Sequence, residues 1–260
     1  MRPGTITCTH LPALWWGEPA TGPLGSGEVR VYRLEHAAGA AVAALAARVL
    51  PPPELARAGR YLQAADRQRF LVVRAALRVL LGHLAGQPPA AVAFALSSTH
   101  KPQLKDNAQL HFSVSHTRRW ALLAVATQPV GVDVEEISVT FDFEAVLDFS
   151  CSAAERQAIA HSPHPRQQFY QLWARKEAFV KATGQGIDEH FAAVPALDGR
   201  HQLAGPGGAL VNPGGHDWLV SSLVVAEGFA AALAGPAPPA LGPPQLATLP
   251  LAWLRAQLAP

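Results

Sequence analysis

Charge of either sign is scarce in this chain. Of 260 residues only 15% are charged, and 21 basic against 19 acidic side chains leave a formal net charge of +2. So weak a net field does not draw the molecule onto a polyanion, which speaks against a nucleic acid partner; any anion site has to be built locally. Cysteine is almost missing. Cys8 and Cys151 lie far apart in sequence; two thiols cannot staple a chain of this length or form a thiolate metal cage, and the expected setting is a reduced, cytoplasmic one. Long apolar runs are missing too. No window reaches the roughly 20 apolar residues that span a bilayer. The opening MRPGTITCTHLPALWWGEP places prolines and polar residues where a secretory leader needs an unbroken apolar core. The expectation is a cytoplasmic protein with no membrane association.

What is present is an apolar content of 49%, enough for one large domain or two small lobes with cores of their own. After an irregular opening, GEVRVYRLEH alternates Val29, Val31 and Leu34 with polar neighbours and reads as a strand. PPPELARAGRYLQAADRQRFLVVRAALRVLLGHLAG starts at a proline stop and then turns helical, with Asp66 as the expected cap of its longer second segment. On a helical wheel Phe70, Val73, Leu77, Leu80, Leu81 and Leu84 form one stripe. Arg67, Arg74 and Arg78 gather beside it as a solvated row, and Arg69 falls on the other flank.

AVAFALSSTHKPQL reads as a strand and loop. LHFSVSH and WALLAVA read as a hairpin turning at TRR, with Phe112 and Val114 on one face and His111, Ser113 and Ser115 on the other. PVGVDVEEI opens a second half. There follow a short helix with Ser152 and Glu155 at capping-box spacing, the long helix PRQQFYQLWARKEAFVKATG, and the strand-like HQLAG, DWLVSSLVVAEG and FAAALAG. PAPPALGPP reads as an extended linker before a short amphipathic LAWLRAQL. Helix followed by antiparallel strands thus occurs twice. The expected class is α+β: two similar lobes, 1–130 and 131–235, each a small antiparallel sheet against a long helix, with 236–260 as linker and tail.

Three groupings could carry chemistry. Asp133 and Glu135 are two apart on a strand, on one face and about 7 Å apart at the backbone; such a pair is usually solvated, but it can also converge on a hard cation such as Mg²⁺. Trp173, Glu177 and Lys181 follow at i, i+4 spacing, so one helical face presents a ring, a carboxylate and an ammonium. The bland reading is a surface ion pair, yet Phe169, Leu172, Ala178 and Phe179 mark this helix as largely buried, where charges need partners. Ser115 and His116 end a strand beside a turn and can donate to a phosphate; Lys101 and Pro102 stand in HKPQL.

In that order KP in HKPQL, FSVSH, GVDVEEI and FYQLWARKEAFVKATGQG resemble the motif series of the 4′-phosphopantetheinyl transferase superfamily, in its larger, monomeric, two-lobed Sfp-type branch. The likeness runs from about Arg57 to Gly186, and its last two motifs together are highly specific. It implies transfer of phosphopantetheine from coenzyme A to a serine of an apo acyl or peptidyl carrier protein, leaving adenosine 3′,5′-bisphosphate. By the same likeness Asp133, Glu135 and Glu177 are the ligands of a Mg²⁺ ion, and Glu177 is also the general base. Lys181 stands on the pyrophosphate side. Arg69, Lys101, Ser115 and His116 contact the coenzyme phosphates, and Pro102 lies at the adenine. Arg57 and Arg60 resemble a basic pair upstream of the arginine helix. His100 departs from the family's usual glycine. Two other readings stay open: a Mg²⁺-dependent phosphodiesterase or nuclease, and a carrier-binding module without turnover.

Overall fold

The computed structural model describes residues 4–12, 15–20, 22–36, 40–97, 101–203 and 215–258. Its strands are β1 (Thr5–His10), β2 (Val29–Glu35), β3 (Phe94–Leu96), β4 (Pro102–Leu104), β5 (His111–His116), β6 (Trp120–Ala126), β7 (Gly131–Glu136), β8 (Gly199–Gln202), β9 (Trp218–Leu223), β10 (Phe229–Pro236) and β11 (Gln245–Thr248). Its helices are α1 (Ala40–Val49), α2 (Pro52–Gly59), α3 (Ala64–Ala85), α4 (Leu147–Ser150), α5 (Ala153–Ala160), α6 (Pro165–Thr183) and α7 (Leu251–Ala256). The α+β class and the two-lobed plan are as expected. His100 and part of HQLAG lie outside the described residues.

Each long helix buries its apolar stripe against one sheet. Helix α3 packs Val73, Leu77, Leu80 and Leu81 on Leu34, Leu123 and Val125 of a four-stranded sheet ordered β11-β2-β6-β5. Helix α6 packs Phe169, Leu172, Phe179 and Val180 on Trp218, Val220 and Ala232 of a five-stranded sheet ordered β7-β10-β9-β1-β8. A third core joins the sheets themselves, with Val31, Leu122 and Ala124 meeting Val132, Val134 and Leu233.

The sheets are not purely antiparallel, and the chain ends are the reason. The opening read as irregular contains β1, which pairs parallel to β9 (Ile6 with Trp218, Cys8 with Val220) in the second lobe's sheet. The expected linker and tail contain β11, which pairs parallel to β2 (Gln245 with Arg30, Thr248 with Arg33) in the first lobe's sheet. Parallel neighbours need a long connection, and each of these strands arrives from the far end of the chain. Sheet membership therefore does not follow the 1–130, 131–235 and 236–260 divisions. Helix α7, expected as LAWLRAQL, docks Leu254 into the first core. Helix α1, rich in alanine, buries Val42, Leu45 and Val49 and was not anticipated.

Two local readings change. The N-cap of α3 is Gln63 in an extended conformation, and Asp66 sits in the first turn, where a carboxylate favours the helix dipole and pairs with Arg69. Arg74 and Arg78 are not a solvated row. Arg78 is 4% exposed and donates to both Glu54 oxygens at 2.7 and 2.9 Å and to the Val92 carbonyl at 2.8 Å. Arg74 reaches Glu54 Oε1 at 2.6 Å with its guanidinium 3.9 Å over Phe94. Glu54 thereby ties α2 onto α3. The Ser152–Glu155 capping box is formed as read.

If the tail is part of the first core, Leu254→Ala should cost about 2–5 kcal/mol in urea unfolding, the range for a fully buried leucine. Leu62→Ala, at a fully exposed position, should cost less than about 0.5 kcal/mol.

Candidate active site

The two sheets meet where β5 runs beside β7. Ser113 Oγ accepts the Val132 N–H at 3.1 Å and Ser115 Oγ accepts the Val134 N–H at 3.3 Å, so serine side chains satisfy backbone donors across the seam. On its other face β7 presses against α6. A Cβ at Gly131 would lie 2.0 Å from the Ala178 carbonyl oxygen and 2.4 Å from the Ala182 nitrogen; only glycine permits that approach, which sets Asp133 and Glu135 beside the face of α6 that carries Glu177 and Lys181.

Asp133 is 1% exposed. Its Oδ1 accepts from Ser115 Oγ at 2.7 Å and from Lys181 Nζ at 2.6 Å, and its Oδ2 is buried with no hydrogen-bond partner. The same ammonium lies 3.7 Å from Glu177 Oε2, one helical turn back. Lys181 thus bridges two carboxylates from separate segments. Burial alone would lower its proton affinity, but Asp133 and Glu177 outweigh it and hold the ammonium above its ordinary pKa. Burial raises Glu177, opposed by Lys181 and reinforced by Asp133. Burial, then Asp133, pushes Glu135 up to about 7, while Lys181 and a hydrogen bond from Trp173 pull the other way. Among the described residues no three His, Cys, Asp or Glu side chains close as a metal cage; the bridging cation between Asp133 and Glu177 is the lysine.

Glu177 and Lys181 open onto a cleft of about 560 Å³ between the lobes. From the first lobe Arg57, Tyr61, Phe70, Arg74, Lys101, Pro102, Phe112 and His116 line it; from the second come Val180, Gly184 and Gly186. Helix α6 ends at Gly184, whose φ of 79° suits a left-handed C-cap. Of the expected phosphate contacts, His116 and Lys101 reach this wall. Ser115 lies behind it on Asp133, and Arg69 is outside the lining, paired with Asp66. Lys101 is already engaged: its Nζ donates to the Val130 carbonyl at 3.1 Å and the Ala182 carbonyl at 3.0 Å, tying the first lobe to the end of α6. Burial lowers it to about 8. Glu135, two residues beyond Asp133 on β7, also borders a second depression lined with Ser138, Thr140, Phe141, Phe169, Tyr170 and Trp173.

The dense charge on α6 sorts into two functions. Lys176 is fully buried and pairs with Glu155 at 2.9 Å, with further bonds to the Ala192 and Val194 carbonyls at 2.9 and 2.7 Å. It points away from the cleft and holds α5 and the segment before β8 onto α6. Sequence spacing showed Glu177 and Lys181 on one face with Trp173, but the partner of Lys176 sits 21 positions upstream and no periodicity reveals it. Arg175 is likewise buried, bound to Ser222 Oγ at 2.8 Å and the Ala196 carbonyl at 2.7 Å.

Comparison with known proteins agrees with this architecture. Residues 129–234 match the family model of the 4′-phosphopantetheinyl transferase superfamily, and residues 39–128 match that of the 4′-phosphopantetheinyl transferase N-terminal region. The 4′-phosphopantetheinyl transferase HetI of Nostoc sp. is 34% identical over 183 residues, 68% of this chain and 77% of HetI. The 4′-phosphopantetheinyl transferase Sfp of Bacillus subtilis is 25% identical over 139 residues, 53% of this chain and 62% of Sfp. The mouse L-aminoadipate-semialdehyde dehydrogenase-phosphopantetheinyl transferase is 29% identical over 157 residues, 55% of this chain and 51% of its own length. The chain belongs to the 4′-phosphopantetheinyl transferase superfamily.

Two measurements probe the buried lysines. Lys176→Met should cost about 3–5 kcal/mol because it strands Glu155 as a buried charge, and the double variant with Glu155→Gln should recover part of that loss. Lys101 has a folded pKa of about 8 against the ordinary 10.5, so between those values the unfolded chain binds more protons and stability rises with pH. Unfolding curves of the native protein and Lys101→Met should therefore diverge in favour of the native protein from pH 8 to 10.5.

Proposed function

We propose that this protein moves the 4′-phosphopantetheine group of coenzyme A onto a serine hydroxyl of an apo acyl or peptidyl carrier protein, releasing adenosine 3′,5′-bisphosphate. The observation that carries the reading is the placement of a raised-pKa carboxylate, Glu177, and an ammonium, Lys181, side by side at the floor of a two-lobed cleft walled by Arg57, Arg74, Lys101 and His116. In a nearly neutral chain Lys181, Lys101 and Arg57 come together at this cleft, where a pyrophosphate and a 3′-phosphate would need them.

The donor chemistry fits a hard divalent cation, although the three carboxylates do not close into a cage in this arrangement and Lys181 lies between two of them. Asp133, Glu135 and Glu177 offer oxygen donors only, and the partnerless buried Oδ2 of Asp133 is an acceptor that a cation would satisfy. These three side chains would hold Mg²⁺, which supplies neutralisation of charge on the pyrophosphate when bound. Burial holds the proton affinity of Glu177 above the ordinary carboxylate value, which suits it to take a proton from the weakly nucleophilic carrier serine. Lys181 holds the pyrophosphate and offsets charge on the leaving phosphate. Lys101 spends two of its three N–H donors on carbonyls and keeps one for a phosphate. Ser115 orients Asp133, His116 offers its ring to an anion in the cleft with the charge of Arg69 nearby but outside the lining, and Pro102 offers a flat apolar wall for the adenine. We also read the protein as a cytoplasmic monomer, since one chain supplies both walls of the cleft. No described helix is long and apolar enough to cross a membrane. Membership of the transferase superfamily favours group transfer over phosphodiester hydrolysis and over a module that only binds carriers.

Incubation with apo carrier proteins, coenzyme A and Mg²⁺ should add one phosphopantetheine mass to the carrier, read by intact mass spectrometry. A carrier panel left unmodified would sink the reading. Glu177→Gln should lower the transfer rate by about 10²–10⁴, the usual worth of a general base, while calorimetry still detects coenzyme binding. Transfer at the native rate would remove Glu177 from that role.

A further inference from the structure

His36 stands one residue beyond β2, under the lip of the cleft, and no motif of the family points to it. Its backbone N–H donates to the Arg119 carbonyl at 2.8 Å, and its ring Nε2 lies 3.1 Å from the Thr117 carbonyl. A carbonyl only accepts, so Nε2 is the nitrogen that carries hydrogen, and Nδ1 bears the lone pair. Nδ1 is buried and has no hydrogen-bond partner. The ring meets His116 edge to face, with centroids 6.3 Å apart and an interplanar angle of 77°.

The surroundings keep this imidazole uncharged. Burial, then His116 and Arg69, drive its pKa down to about 4, and the Thr117 and Trp120 carbonyls, which favour the charged ring, are outweighed. A neutral donor suits the position: it grips a carbonyl without adding a positive charge beside Arg69. Both bonds of His36 land on the turn between β5 and β6, and Thr117 is the residue next to His116. Thr117 also donates its backbone N–H to the Trp120 carbonyl at 2.8 Å, so the turn is held from inside and from β2 together.

We propose that His36 is a positioning residue for the ligand phosphate at His116: its Nε2–H holds the turn after His116 and so sets where that imidazole meets the cleft. The proposal rests on reading the cleft as the coenzyme site. A donor displaced by about 1 Å can cost up to 10²-fold in such a site, so a tether on the neighbouring residue carries weight although it touches no ligand.

The test pairs His36→Leu, which keeps bulk and loses the donor, with His36→Gln, whose side-chain amide can place an N–H near the position of Nε2. In His36→Leu the KM for coenzyme A and the Kd for adenosine 3′,5′-bisphosphate should rise roughly tenfold, the worth of about one hydrogen bond. The carrier-protein KM should stay within about twofold, and His36→Gln should recover most of the coenzyme affinity. In ¹⁵N spectra of the native protein His36 should appear as the Nε2–H tautomer, and the His116 ring resonances should shift in His36→Leu. Native coenzyme affinity in His36→Leu, an equal loss in both variants, a matching rise in carrier KM or an Nδ1–H tautomer would each overturn the proposal. If His36→Leu does not fold, the kinetics of His36→Gln and the tautomer decide: a loss beyond about threefold or the wrong tautomer counts against it. A native protein that binds neither ligand would instead overturn the coenzyme reading, and the His116 resonances would still judge the tether.

Discussion

A carboxylate that is 1% exposed must be neutralised where it stands, because leaving an unpaired charge in the interior costs several kcal/mol. Asp133 meets that constraint with Ser115 from one lobe and Lys181 from the long helix of the other. The cleft is organised around this junction. Ser115 has to end β5 against β7, which brings His116 to the lip. Lys181 has to sit one turn beyond Glu177, which delivers an ammonium and a carboxylate to the same floor. Gly131 has to lack a side chain, or β7 and α6 could not approach closely enough for the lysine to reach.

The lobes are joined more thoroughly than two similar halves would require. A core runs between the sheets, from Val31 and Leu122 to Val132 and Leu233, and each chain end crosses to add a strand to the other lobe's sheet. Lys101 makes a further tie, from the loop before β4 to the end of α6. The walls of the cleft are therefore parts of one packed body, which suits a site that must hold a flexible nucleotide with its phosphates fixed in place.

Much of the fold was legible where the apolar rhythm is strong and local. The stripes on α3 and α6, the hairpin of β5 and β6, the strand carrying Asp133 and the capping box at Ser152 all follow from periods of 3.6 or 2 and from capping chemistry. What escaped has a common cause. The alternation of Ile6 and Cys8 in β1 is weak beside its threonines, β11 has only four residues, and each is stabilised by a partner at the far end of the chain. In α1 alanine carries the helix, and a composition rich in alanine throughout hides it. Arg74 and Arg78 looked like a solvated row because their positions flank the stripe; Glu54, on another helix, is what takes them inside.

At the site the sequence by itself determined which chemistry was on offer: two acids at strand spacing, an acid and a lysine at helical spacing, and a Ser-His pair at a strand end, all because neighbours along one element obey fixed geometry. The tertiary structure alone decided how these groups divide their work. It placed Lys181 between Asp133 and Glu177, turned Lys176 away to Glu155, committed two donors of Lys101 to backbone carbonyls, and set His36 behind His116. Those outcomes depend on contacts between segments distant in sequence and on which groups lose water, and burial of that kind is a property of the packed molecule and not of any stretch of the chain.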